Sequence, residues 1–246
     1  MKRVKKRPRI RALFSTDIQR TNEDEEGLEL IISHEHYRYQ RRRENAGDNK
    51  YNGAYYYSRE IVQNIIPRVE TDRNWITINI PGEGCNHAIF FVHNNLQPEK
   101  YDWIKQYGFK DVLMVCGLWS TYETMEERGW NAMYLPLSID TEYIKQFKVQ
   151  EKTKSAAFAG RKTKTIFGNL PEGIDYLHGM RRTQLLKRMA EYEQIYAVGR
   201  TAIEARALGC EIMPYDVRFP DPSIWKVRDN KEAAEILQQK LDIIDR

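Results

Sequence analysis

From residue 87 onward, apolar and polar positions follow a pattern that predicts strands and helices in alternation. Continuous apolar runs of strand length predict three buried strands, AIFFVHNN, DVLMVCG and NAMYLPL. The two segments between them have helical spacing and end in glycine, PEKYDWIKQYG and STYETMEERG. In the second helix we expect Ser120 as the N-cap and Gly129 as the C-cap. Strand and helix in regular succession are typical of a parallel sheet covered on both faces.

A polar, lysine-rich stretch, DTEYIKQFKVQEKTKS, interrupts the alternation, which then resumes. Beyond it, apolar runs predict four strands, AAFAGR, GIDYLHG, QIYAVGR and CEIMPYD, and amphipathic spacing predicts three helices, RRTQLLKRMAEY, TAIEARALG and NKEAAEILQQKLDIID. Two such units joined near residue 150 predict two α/β domains that face each other, over residues 1–148 and 149–246. In folds of this kind ligands bind outside the carboxyl ends of the strands, so we expect the site in the cleft between the domains.

The first third of the chain has a weaker pattern. Two short apolar runs predict strands, IRALFS and LELIIS, and the segment YSREIVQNIIPRV has the spacing of an amphipathic helix that ends near Pro67. The strict alternation in NWITINI predicts a strand, which the turn PGEG closes. In that turn Gly82 and Gly84 could let bare backbone approach a phosphate, although a simple turn fits as well.

Composition places the chain among folded globular proteins. Of 246 residues, 41% are hydrophobic and 30% charged, and no apolar run reaches the roughly 18 residues of a membrane span. The basic N-terminus lacks the long apolar stretch of a secretion signal, so we expect a cytoplasmic protein without a membrane span. Three widely separated cysteines form neither a disulfide framework nor a zinc motif. We expect Cys116 and Cys210, which lie beside glycine in apolar runs, to be buried thiols.

Positive charge is concentrated near the N-terminus, within a net charge of +4. It suggests a phosphate-bearing partner, a nucleotide or a nucleic acid, although a solvated charged face explains it equally well. Tyrosine and arginine interleave in HYRYQRRR, so the candidates for gripping nucleic acid are Arg38, Arg41, Arg42 and Arg43. A surface loop anchored by tyrosines is the alternative. His34 and His36 have the spacing of two metal ligands on a strand, but no third ligand accompanies them, and we predict no metal site.

Two strand ends in the second half of the chain carry residues suited to binding anions. At Gly199-Arg200-Thr201 a strand passes into a helix, whose free backbone N–H groups bind anionic oxygens. Glu204, one turn further, could accept hydrogen bonds from a ribose diol, or could instead pair with Arg200. Gly160 is followed by Arg161 and Lys162, two cations that could neutralise a diphosphate or could form an ordinary basic turn.

Three segments, YLPLSIDTEYIKQF, AAFAGR and YAVGRTAIEARALGCEIMPYD, resemble the C-terminal half of retaining GT-B glycosyltransferases of the glycosyl-transferase-4-like (group 1) family. The resemblance covers roughly residues 85–246. It implies a GT-B fold, in which two facing Rossmann-like domains with parallel sheets enclose a cleft. It also implies a UDP- or GDP-sugar as donor substrate, with no cofactor required. The chain departs from the family at Ser138, where glycine is usual, and near Tyr196, where the family has its first glutamate.

The resemblance assigns roles to individual residues. The family's P-x-G-x-D segment corresponds to Pro136 and Asp140, and its ribose-binding glutamate to Glu204. The resemblance further implies that other residues contact the donor or its diphosphate: Arg161, Lys162, Gly160, Gly199, Arg200 and Thr201. His93, at the end of FFVHNN, resembles the family's strand-end histidine and would orient the donor sugar or the acceptor hydroxyl, although a structural histidine fits the same position.

The resemblance therefore implies a glycosyltransferase that retains the anomeric configuration. The acceptor is open. A modified base in DNA suits a shortened phage-type enzyme, which would then act in the host cytoplasm, and a protein, a polysaccharide or a small molecule are the other options. Two further alternatives are a non-catalytic nucleotide or nucleotide-sugar binding protein with a GT-B-like cleft, and a nucleic-acid binder that has no donor site.

Overall fold

The computed structural model describes residue 57 and residues 60–76, 87–92, 111–160 and 170–245. Within these ranges the chain is an α/β protein with two sheets of four parallel strands each, which confirms the predicted α/β class with parallel sheets. The chain divides into two compact units. One unit contains the described residues from 60 to 136 together with 231–245, and the other contains residues 137–230.

The sheet of the first unit consists of β1 (Asn74–Ile76), β2 (His87–Val92), β3 (Asp111–Cys116) and β4 (Asn131–Tyr134), in the order β1-β2-β3-β4. Its central strands, β2 and β3, are buried along almost their whole length. Burial on both faces explains why these strands read as unbroken apolar runs in the sequence. Cys116 ends β3 as a buried free thiol, as predicted, and burial raises the pKa of that thiol to about 12.

Helix α1 (Trp119–Glu127) connects β3 to β4. The prediction that Ser120 caps this helix is wrong, because the N-cap is the extended Leu118, two residues earlier, and the helix begins at Trp119. Ser120 lies inside the helix, where its carbonyl oxygen accepts a hydrogen bond from the Thr124 hydroxyl at 2.8 Å. Gly129 takes its predicted place at the C-terminal end, since its φ of 69° is the left-handed conformation that closes a helix.

The segment predicted as an amphipathic helix before Pro67 is helical, and Tyr57 and Glu60 within it are α-helical. A π-helical turn, Ile61–Ile65, passes into a 3₁₀ turn, Ile66–Arg68. The apolar face was predicted correctly, because Ile61, Val62, Ile65 and Ile66 are buried. Proline has no backbone N–H to donate, which ends the regular hydrogen-bonding pattern at this point.

The last helix, α5 (Asn230–Ile244), belongs from residue 231 onward to the first unit. The Gln238 side chain bonds the backbone of Glu70 on both sides, by accepting from its N–H at 2.6 Å and donating to its carbonyl at 3.2 Å. Arg73, which is 3% exposed, bridges Asp245, directly after α5, and Asp111 on β3 at 2.7 and 2.9 Å. These bonds tie the end of the chain to the start of β1 and β3.

The sheet of the second unit consists of β5 (Lys154–Phe158), β6 (Asp175–Tyr176), β7 (Tyr192–Tyr196) and β8 (Glu211–Met213), in the order β6-β5-β7-β8. Its helices are α2 (Thr141–Lys145), α3 (Arg182–Ala190) and α4 (Arg200–Ala207). Every pairing in this sheet is parallel, so the carboxyl ends of all four strands lie at one edge. None of the helices within the described ranges combines the length and the hydropathy that crossing a bilayer requires.

Candidate functional site

The strand order places a topological switch point between β5 and β7. From β5 the chain moves outward to β6, and after β7 it moves outward in the opposite direction to β8. The connections that leave the carboxyl ends of β5 and β7 therefore diverge, and such a crevice is where open parallel sheets bind ligands. We use the name switch-point edge for the residues that follow the carboxyl ends of three strands: Gly160 after β5, Gly199–Thr201 after β7 and Tyr215–Arg218 after β8.

Gly199 makes the sharp turn from β7 into α4. Its φ of 63° and ψ of −141° describe a backbone conformation that residues with a side chain do not adopt without strain. Helix α4 begins at the next residue, Arg200, as the sequence predicted to within one residue. The first N–H groups of a helix have no intrahelical acceptor, so the start of α4 is the kind of position at which proteins bind anions.

A buried carboxylate holds two arginines beside the start of α4. Oε1 of Glu204 accepts a hydrogen bond from Nε of Arg200 at 2.9 Å and another from Nη2 of Arg182 at 3.0 Å. Glu204 has no exposed surface, and the two arginines are 6% and 8% exposed. The guanidinium of Arg182 also lies over the ring of Tyr143, 5.0 Å from its centroid. Two cations thus share one carboxylate in a largely desolvated place, where charge interactions are strong.

This cluster changes the interpretation of Glu204. The predicted contact between Glu204 and a ribose stays a prediction, and it would need carboxylate surface that this conformation does not expose. The pairing with Arg200, which the sequence left as the alternative, is present, but in the interior rather than at the surface. Arg182 was not identified from the sequence. Its only local signal is the arginine pair at the start of α3, of which Arg181 is exposed and Arg182 is buried.

Gly160 follows β5 at the predicted place, but the space beside it is filled by aromatic side chains. A Cβ atom on Gly160 would come within 2.6 Å of the Phe158 ring and 2.7 Å of the Tyr215 hydroxyl. Phe158 and Tyr215 pack edge to face, with centroids 4.9 Å apart. Burial raises the pKa of Tyr215 to about 12, so its hydroxyl keeps its proton at neutral pH. A glycine is therefore needed here to admit Tyr215.

Asp216 and Arg218, after β8, form a second ion pair at the switch-point edge. The buried Asp216 carboxylate accepts hydrogen bonds from Nε and Nη2 of Arg218 at 3.0 and 2.7 Å. It also accepts one from the Arg218 backbone N–H at 3.0 Å. Burial alone would raise the pKa of Asp216, but the hydrogen bonds from Arg218 outweigh it and lower that pKa. The Arg218 side chain is 43% exposed and presents a cation to solvent. The sequence signal for this pair is the D-x-R spacing directly after a strand.

Ser138 and Ile139, in the segment that was predicted to correspond to a P-x-G-x-D pattern, are joined to the end of the second unit. The Ser138 hydroxyl donates to Oδ1 of Asn230 at 2.7 Å, and a parallel bridge joins Ile139 to Asp229. Asp140 is the N-cap of α2, since its side chain accepts the Tyr143 N–H at 2.9 Å. The polar side chains of this segment thus make structural bonds.

Several predicted site residues lie outside the described residues: His93, Arg161, Lys162, Arg38, Arg41, Arg42 and Arg43. The same holds for His34, His36, Gly82 and Gly84. Among the residues that are described, no group of three or more His, Cys, Asp or Glu side chains could hold a metal ion.

No protein-family model, no curated protein and no solved structure matches this chain. The switch-point edge carries groups of the kind that bind anions. It combines the N-terminus of α4 with the buried arginines at Glu204 and with the exposed cation of Arg218. Guanidinium groups and backbone N–H groups are the donors that proteins use for phosphate.

Proposed function

We propose that the chain is a glycosyltransferase of the GT-B type, which transfers a sugar from a UDP- or GDP-sugar to an acceptor. In this proposal the second unit binds the donor diphosphate at the switch-point edge. The observation that supports it best is the Arg200–Glu204–Arg182 cluster, which places two cations where the N–H groups of α4 begin. The parallel sheets and the position of the cluster at a topological switch point agree with a nucleotide site.

Catalysis in this proposal is mainly electrostatic. During transfer the bond between the anomeric carbon and a diphosphate oxygen breaks, and the acceptor hydroxyl oxygen bonds to that carbon. The hydroxyl proton passes to water, and the nucleoside diphosphate leaves with one more negative charge. Arg200 and the N–H groups at Thr201 stabilise that charge, and Glu204 holds the guanidinium of Arg200 in position beforehand, so little reorganisation is needed. Glu204 is thus a positioning residue.

The family resemblance adds three residues to this mechanism. Arg161 and Lys162 directly follow Gly160, and in the proposal they complete the diphosphate site from the β5 side of the switch point. His93 orients the donor sugar or the acceptor hydroxyl. Guanidinium and ammonium groups can neutralise the departing diphosphate, so this role requires no metal ion.

A non-catalytic nucleotide-sugar binding protein is the second candidate. It is favoured by the state of two carboxylates, Asp216 at the switch-point edge and Glu204 one turn into α4, which are both buried and both paired with arginines. Neither is placed to exchange a proton with an acceptor. A site with this composition binds a diphosphate whether or not a transfer follows.

Calorimetry with UDP, GDP and their sugars tests the proposal, followed by a donor-hydrolysis and transfer assay. We expect nucleotide binding that Arg182→Ala weakens at least about tenfold, because loss of a charge-assisted phosphate contact or of its support is worth 1.5–3 kcal/mol. Arg181→Ala is the matched control, because Arg181 is next to Arg182 in the sequence but its own side chain is exposed. Circular dichroism checks that both variants are folded, and Arg182→Lys tests whether charge without the planar fork suffices.

Three results separate the candidates. Binding together with transfer or hydrolysis supports the glycosyltransferase. Binding with neither reaction supports the non-catalytic protein. If the folded protein binds no nucleotide and no nucleotide sugar, both proposals are wrong.

A further inference from the structure

Trp119 is a large aromatic side chain that the first unit leaves exposed to solvent. It exposes 54% of its surface, whereas the other tryptophans within the described ranges expose 7% or less, namely Trp75, Trp130 and Trp225. An indole ring carries a large apolar area whose burial is favourable, so a half-exposed indole leaves stabilisation unused. Trp119 therefore differs from the tryptophans that fill the cores.

Neighbouring rings hold Trp119 at the carboxyl edge of its sheet. Trp119 follows the end of β3 by three residues, and Tyr134 ends β4, the adjacent strand. The Trp119 ring lies 5.1 Å from that of Tyr122 and 5.2 Å from that of Tyr134, measured between centroids, with interplanar angles of 47° and 87°. These are distances of direct ring contact. We call the three rings the Trp119 platform.

The contact distances limit what the platform can bind. An aromatic cage for an ammonium group needs rings that stand apart with the cation between them, about 6 Å or less from each centroid. Here the rings touch one another, so a cation cannot lie between them. The exposed part of the Trp119 ring is instead a flat surface on which another ring can lie.

The helix that carries the platform is acidic. Residues Trp119–Glu127 include Glu123, Glu126 and Glu127 and no lysine or arginine. The Tyr122 hydroxyl donates to Oε1 of Glu126 at 2.5 Å, which places the carboxylate beside the platform. Exposed carboxylates accept hydrogen bonds from hydroxyl groups and repel phosphates.

We infer that the Trp119 platform binds a neutral sugar ring. The apolar C–H face of the sugar lies on the indole ring, and its hydroxyl groups donate to the carboxylate of Glu126. Nucleic-acid bases also stack on aromatic rings, but their phosphates would be brought close to the carboxylate of Glu126 on an acidic helix. If the platform binds the acceptor, the inference rests on the proposed glycosyl transfer, and the acceptor is a carbohydrate and not a DNA base. As a sugar-binding surface it does not depend on that reaction.

Titration of the full chain with a panel of neutral oligosaccharides tests the inference. The panel contains oligomers of glucose, galactose, mannose and N-acetylglucosamine, and binding is followed by tryptophan fluorescence and by NMR of the ligand. We expect binding by at least one oligosaccharide, weakened about tenfold by Trp119→Ala and less by Trp119→Phe, because alanine removes the aromatic surface and phenylalanine keeps part of it. Ile243→Ala is the matched control, since Ile243 is 70% exposed in the same unit. If no oligosaccharide binds, or if Trp119→Ala binds like the control, the inference is wrong.

A short DNA strand and a short duplex are titrated in parallel, with Glu126→Lys as an additional variant. If the platform binds sugars, this variant weakens oligosaccharide binding, because an ammonium group cannot accept a hydroxyl hydrogen. DNA binding that depends on Trp119 and becomes tighter in Glu126→Lys would overturn the inference in favour of a nucleic acid.

Calorimetry with UDP and GDP on the same samples separates this inference from the proposed function. Nucleotide binding without sugar binding removes the inference and leaves the proposed function in place. Sugar binding at Trp119 without any nucleotide binding supports the surface and contradicts the glycosyltransferase.

Discussion

Nε of Arg200 lies 2.9 Å from Oε1 of Glu204, one helical turn away, and Glu204 has no exposed surface. Arg182, 22 positions earlier in the chain, reaches the same oxygen atom from another helix. A solvated pair at this spacing would contribute only about 0.3–0.5 kcal/mol. In the interior, each member of the cluster depends on the others, because a buried charge without its partner is costly.

The first prediction concerns that dependence. Glu204→Gln should lower the free energy of unfolding by about 3 kcal/mol or more, because it leaves two buried guanidinium groups without their shared anion. Urea unfolding followed by circular dichroism measures the change. Glu235→Gln, an exposed substitution on α5, is the control and should be nearly neutral. An unfolding curve of Glu204→Gln that overlays that of the control would show that the cluster adds nothing to stability.

The second prediction concerns the turn between β7 and α4. Gly199→Ala should destabilise the protein by about 1–3 kcal/mol, although a Cβ atom there would meet no atom within 4 Å. The cost is conformational, since φ 63° with ψ −141° lies outside the region that a residue with a side chain populates. Thermal unfolding measures it.

Asparagine distinguishes this turn from an ordinary helix end. Asparagine tolerates the left-handed helical region but not the conformation of Gly199, so Gly199→Asn should be as destabilising as Gly199→Ala. Gly209→Asn is the control, because Gly209 closes α4 with a φ of 82° and is in the position where asparagine is accepted. Equal unfolding temperatures for Gly199→Asn and the control would show that the Gly199 turn tolerates asparagine as an ordinary helix end does.

The third prediction concerns stability in acid. The folded-state pKa of Asp216 lies below its ordinary value of 3.8, because the Arg218 hydrogen bonds outweigh the effect of burial. A lowered carboxyl pKa contributes stability that is complete above pH 3.8 and is lost as the pH falls through the folded pKa. Asp216→Asn should therefore lower stability at neutral pH and make the acid part of the stability–pH profile flatter than in the wild type. Urea midpoints measured as a function of pH, with Glu123→Gln as an exposed control, show whether it does.

The fourth prediction concerns a lysine that joins two helix ends. Nζ of Lys152 donates to the carbonyl oxygens of Ala190 at 3.1 Å and Leu208 at 3.3 Å, at the C-termini of α3 and α4. Lys152→Met should cost about 1–3 kcal/mol, since it removes a cation from two negative helix ends and leaves carbonyl groups without that donor. Lys148→Met, at an exposed neighbouring lysine, should change stability little. Equal losses in the two variants, measured by urea unfolding, would refute this role.

Much of the fold was predictable from local patterns. The central strands β2 and β3 were predicted because buried parallel strands are apolar on both faces, which leaves an unbroken run in the sequence. Strict alternation of apolar and polar residues predicted β1. The start of α4 was predicted from Gly199 and Arg200, because only glycine makes such a turn cheaply. Ser120 was assigned wrongly as a cap, since Leu118 already has the extended backbone that precedes a helix and the helix begins at Trp119.

The sequence by itself determined that the chain forms parallel α/β sheets and that a helix begins directly after β7. Both features depend on residues close together in the sequence: the spacing of apolar residues, and a glycine that permits the turn. Only the tertiary structure decided that Glu204 is buried, that Arg182 joins it and that the space beside Gly160 admits Tyr215. These pairings join residues that are distant in sequence. The packing of helices on the sheet brings them together, and a local sequence pattern does not predict which side chains come into contact there.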